Sequence, residues 1–89
     1  MSDKSARGTV TSTNTTIGPV EVSKGERLFF TIDWTSGTHT LQFSIEKAGP
    51  FVAVEDGYTA DTAKLAEGLG WYQIVGTSTP SADVHMVAR

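Results

Sequence analysis

The segment from Leu28 to Trp34 constrains the fold most. Leu28, Phe30, Ile32 and Trp34 alternate with Arg27, Phe29, Thr31 and Asp33 in strict period two. Successive side chains of a strand point to opposite faces, so this spacing buries one face of a β-strand and does not make the apolar stripe of a helix. Leu41, Phe43 and Ile45 repeat the pattern against Thr40, Gln42, Ser44 and Glu46. With Thr35-Ser36-Gly37 between them as a tight reversal, the two runs read as a long hairpin with one apolar face.

The rest of the chain supports an all-β class. Thr (13), Val (8) and Ile (4) far outnumber Leu (4), and nine Gly supply turns. Strands are expected from Thr9 to Thr13, and from Thr15 to Val22 with an edge position or bulge at Gly18-Pro19, because Pro cannot donate to a ladder. Further strands are expected at Phe51–Val54, Trp71–Gly76 and Asp83–Ala88, separated by the polar loop Thr77–Ala82. Asp61 to Glu67 reads as an extended strand, with a helical turn as the alternative. Seven to eight strands at this spacing predict a single small antiparallel β-sandwich, jelly-roll-like or Ig-like, over residues 8–89. Residues 1–7 are polar and aperiodic and are expected to form a flexible N-terminal arm, or a docking strap.

A chain of 89 residues builds a thin core, and with no Cys it has neither disulfides nor thiolate metal sites to reinforce it. Homo-oligomerisation or docking on a larger body is the remaining source of stability. The net charge of −3 and the scattered basic residues argue against nucleic-acid binding. No run approaches the ~20 apolar residues of a membrane span, and Met1 to Gly8 has no apolar signal core. A soluble protein made in the cytoplasm is expected.

Reactive groups are few. Ser44, His85 and Asp83 could be drawn as a triad without any supporting motif, and His85 reads more simply as an outward strand residue. Glu55-Asp56 with Asp61 could hold Ca²⁺, but such corners are usually only solvated. Two His without a carboxylate at fixed spacing make a weak metal case, and no glycine-rich phosphate loop precedes a helix. No enzyme activity, cofactor or metal is expected. Among the aromatics, Phe30, Trp34, Phe43 and Tyr72 share parity with the apolar faces and read as core. Phe29 and Trp71 do not: they contact a partner, or the face assignment is wrong.

The run Phe30 to Ser44, then Gly49-Pro50-Phe51-Val52-Ala53-Val54, Gly70-Trp71-Tyr72-Gln73-Ile74 and Val84-His85-Met86-Val87 together resemble a family of small tailed-bacteriophage proteins over most of residues 17–88. The sequence departs from the family pattern at Ala48-Gly49 and at Gln73. The resemblance implies a virion structural protein of β-sandwich fold, a decoration or cement protein assembled in the host cytoplasm and bound to the major capsid protein lattice. Lys4 and Arg7 of the arm, with Phe29 and Trp71, are the expected partner-binding residues. The alternative is a carbohydrate-binding or host-adhesion module of a fibre, in which Trp71 or Tyr58 stacks on a sugar ring.

Overall fold

Two long strands organise the molecule. The computed structural model describes residues 4–89 and contains β1 (Ser5–Val10), β2 (Thr16–Val22), β3 (Leu28–Ser44), β4 (Val52–Ala53), β5 (Thr62–Ala66) and β6 (Gly70–Ala88). They form one antiparallel six-stranded sheet in which β3 and β6 pair along their whole length. On the far edge of β6, β2 pairs with its first half and β1 with its second. On the far edge of β3, β5 pairs with its first half and β4 with its end.

The 19 residues of β6 would span about 63 Å if straight, at about 3.3 Å per residue. The longest dimension of the molecule is 34 Å. The long pair therefore bends at its midpoint and folds its two halves over one core. Val10 and Ile17 on the outer strands, Phe30, Ile32 and Leu41 on β3, and Ile74, Val84 and Met86 on β6 belong to that single cluster. Each such side chain, once buried, contributes about 1.5–3 kcal/mol.

The bend is a pair of bulges. Trp34 pairs with Ala82, Ser36 with Ser81 and Thr38 with Thr77, which leaves Thr35 and Gly37 unpaired on β3 and residues 78–80 unpaired on β6. The inward face of β3 accordingly switches from Leu28, Phe30 and Ile32 to His39 and Leu41, from even to odd positions. On β6 the inward residues stay even, from Tyr72 and Ile74 to Val84 and Met86. Pro80 falls where no ladder bond is required, so it is compatible with a central strand. Gly37 has φ 82°, and a Cβ there would stand 2.6 Å from the Cα of Pro80.

This corrects the hairpin expected from the sequence. Residues 27–34 and 40–46 do not pair with each other; they are two halves of β3, and both pair with β6. Thr35-Ser36-Gly37 is a bulge, and the expected loop Thr77–Ala82 lies inside β6. Among the described residues six strands are formed where seven to eight were expected, because a bulge and a turn interrupt alternation in the same way. Ile45 falls beyond β3 and is 80% exposed rather than on the apolar face.

Two other expectations fit. Asp61–Glu67 contains the extended strand β5, and β2 carries its register shift between Ile17 and Val20, at Gly18-Pro19. The first strand and the arm are corrected: β1 runs over Ser5–Val10 and not from Thr9 to Thr13, so residues 5–7 of the expected arm are paired with β6, while Met1–Asp3 lie outside the described residues.

Candidate functional site

Side chains close the bulge by satisfying carbonyls that the ladder has released. Trp34 Nε1–H donates to Gly37 O at 2.8 Å, and Ser36 Oγ–H donates to Thr79 O at 2.8 Å. His39, fully buried, donates from Nε2 to Ser36 O at 2.9 Å, which places a proton on Nε2 and leaves Nδ1 without a partner among the described residues. His39 is thus built into the bend. His85 is exposed on the second half of β6, whereas Ser44 pairs with Trp71 at the start of that strand. The drawn triad of Ser44, His85 and Asp83 is therefore not assembled.

The acidic corner is tied to its neighbours. Glu55 accepts hydrogen bonds from the Tyr58 hydroxyl and from Lys64, and these hold its carboxyl below the ordinary carboxylate range. Burial, and then the Glu55 bond, push the Tyr58 hydroxyl above its ordinary range. Asp61 accepts the backbone N–H of Trp34 at 2.9 Å. Among the described residues no three His, Cys, Asp or Glu side chains are placed to hold a metal ion.

The four residues expected to bind a partner fall into two pairs. Arg7 and Phe29 lie on the outward face of the half-sheet formed by β1, β5 and the adjoining halves of β6 and β3. Lys4 instead binds the turn after β2: its Nζ donates to Ser23 Oγ at 2.6 Å and to Glu26 Oε1 at 2.8 Å. That bond, followed by the Ser23 backbone N–H, lowers the Glu26 pKa below its ordinary value. Lys4 also reaches the backbone oxygen of Glu21, the β2 residue that pairs with Trp71. Trp71 is half-buried, with Lys47 Nζ 5.5 Å from its ring centre.

Two apolar surfaces remain, and the sequence singled out only parts of them. The first is a tip around the end of the long strands. Ile45 (80% exposed) and Leu69 (59%) flank the β3–β6 pairing where it ends at Ser44 and Trp71. Beside them Val52 (62%) pairs with Phe43, and Val54 (48%) donates its N–H to Leu41 O at 2.9 Å. Phe43, Val52, Val54 and Tyr72 line a shared recess there. Val52 and Val54 were read as a short apolar strand; their exposure follows from the edge position of β4, which a single sequence does not give.

The second surface is the outward face around Phe29, built in rows across the strands. Val87, Phe29 and Leu65 stand side by side, with Ser5 at the β1 end. The next row is Arg7, His85, Thr31 and Ala63, and beyond it lie Asp83 and Asp33. At the opposite end Arg27 and Arg89 exchange backbone hydrogen bonds, the Arg89 guanidinium lies 5.8 Å from the Phe29 ring, and Arg27 pairs with Glu67 at 3.0 Å. The face is thus basic at one end, apolar in the middle and acidic at the other end. Comparison of the chain with known protein families, with curated proteins and with solved structures gives no match.

Proposed function

We propose that this domain is a non-enzymatic docking module, and that it serves as a virion component, a capsid decoration protein bound to the major capsid protein lattice. The observation that carries the docking reading is the tip. Ile45, Leu69, Val52 and Val54 are four aliphatic side chains, each about half exposed or more, gathered at one end of a small domain. Isolated exposed aliphatics are ordinary, but Val52 and Val54 share one recess with Phe43 and Tyr72, and an apolar recess among further exposed aliphatics suits an interaction surface. Glu67 lines that recess, and Lys47 lies over the Trp71 ring. The virion assignment rests on the sequence resemblance alone.

The bent sheet suits such a role. Counting β3 and β6 once in each half gives eight segments in two facing layers, the sandwich reading of this fold. The glycan-binding alternative has less support, because the Trp71 ring is covered by Lys47 and the Tyr58 hydroxyl is occupied by Glu55.

The test is co-sedimentation with capsid shells assembled without this chain. Saturable binding at a fixed ratio to the major capsid protein, reduced at least about tenfold by Ile45→Glu with Leu69→Glu, is the expected result. Both positions are exposed, so the variant should keep its thermal unfolding midpoint. Shells that recover none of the wild-type domain would reject the capsid role, and wild-type occupancy by the double variant would reject the tip.

A further inference from the structure

From the outward face around Phe29, we infer that the domain forms a two-fold dimer with a second copy of itself, sheet face against sheet face. Rows of outward residues lie two residues apart, about 6.7 Å, so the basic row at Arg27 and Arg89 and the acidic row at Asp33 and Asp83 are about 20 Å apart. Consider a two-fold axis that runs across the strands, midway between the Phe29 row and the Thr31 row. It carries each strand onto its own counterpart. Arg89 then faces Asp83 of the second copy along β6, and Arg27, which also pairs with Glu67 of its own chain, faces Asp33 along β3, while on β5 the same axis sets Glu67 against Asp61. Between them Phe29 covers Thr31, Val87 covers His85 and Leu65 covers Ala63, so the apolar row meets the smaller and less charged row rather than an acid.

That charge complementarity identifies the occupant as a second copy. An isologous interface requires one patch to be its own complement, and here β3 and β6 each carry a cation and a carboxylate equidistant from one centre. Asp33 and Asp83 sit directly opposite each other on neighbouring strands, with Arg7 lining the same recess and the Thr9 hydroxyl donating to Asp83 at 2.7 Å, and the incoming arginines add to that set. Four strands by four rows cover on the order of 500 Å² per copy, near the lower bound of specific interfaces, so the dimer is weak and reversible. The tip adjoins the basic end of this face, because Glu67 both lines the tip recess and pairs with Arg27.

A charge exchange tests this without capsids, so its outcome is independent of the docking role. Asp83→Lys and Arg89→Glu are made as separate variants, and sedimentation equilibrium follows mass against concentration in low salt. The wild-type domain of 9.5 kDa is expected to approach twice that mass, while each variant alone associates at least about tenfold more weakly. Mixed in equal amounts, the two variants should recover the dimer, because each contact again joins opposite charges. Loss of association through misfolding would not be restored by mixing. A wild-type domain that stays monomeric at millimolar concentration, a dimer indifferent to both variants, or a mixture that fails to recover it would overturn the proposal.

Discussion

The residues that set the shape are those of the bend, and Gly37 is the least replaceable. Its φ of 82° lies in the left-handed region, and a Cβ there would press on the Cα of Pro80 and on the Thr77 carbonyl at 2.7 Å. Gly37→Ala combines a conformational cost of about 1–2 kcal/mol with a backbone clash, so a loss above about 2 kcal/mol is expected in urea unfolding. The Lys4–Glu26 contact acts on acid stability instead. Glu26 has a folded pKa below its ordinary value of 4.5, so its contribution is present above that value and disappears as pH falls through the folded pKa. Glu55 follows the same sign. Glu26→Gln removes one of the two, and the drop in thermal midpoint between neutral and acid pH should become smaller than in the wild type.

At the scale of elements, the bend turns on parity. Deleting Ser78 alone would drive His39 and Leu41, or their partners on β6, to the solvent face. At about 1.5–3 kcal/mol for each large apolar side chain, this removes most of the 5–15 kcal/mol that a small domain possesses. Deleting Ser78 and Thr79 together shortens the bulge yet preserves parity. The double deletion is expected to keep a cooperative unfolding transition, measured by circular dichroism, that the single deletion loses. The same parity explains what the sequence disclosed. Leu28 to Trp34 and Trp71 to Ile74 announced strands and their inward faces correctly, because alternation is local. Whether Ser36-Gly37 reverses the chain or bends it depends on the partner strand, and β6 lies more than thirty residues away. The candidate surfaces divide in the same way. Phe29 was recognisable from its own parity, but its row with Val87 and Leu65, and the arginines and aspartates flanking it, exist only once three strands are in register.

For the whole molecule, the two surfaces differ in the force that would hold a partner, so ionic strength separates them. The tip offers Ile45, Leu69, Val52 and Val54, whose burial depends on apolar area and is little affected by screening. The Phe29 face relies at both ends on exposed ion pairs, each of which contributes about 0.2–1 kcal/mol and weakens once the Debye length falls from about 10 Å at 0.1 M salt to about 3 Å at 1 M. Raising salt from 0.05 to 1 M should therefore shift sedimentation toward the monomer. Over the same range, the intrinsic affinity of an isolated domain for a shell should change less than its self-association. On a lattice, the two effects combine. A dimer that spans two sites binds the second intramolecularly and gains apparent affinity, so occupancy of shells by the wild type should fall with salt even though its tip contact does not. The Asp83→Lys variant, already monomeric, should bind more weakly at low salt and lose little more as salt rises. Equal salt sensitivity in the two proteins would mean that the tip contact itself is electrostatic and that the Phe29 face contributes nothing to occupancy.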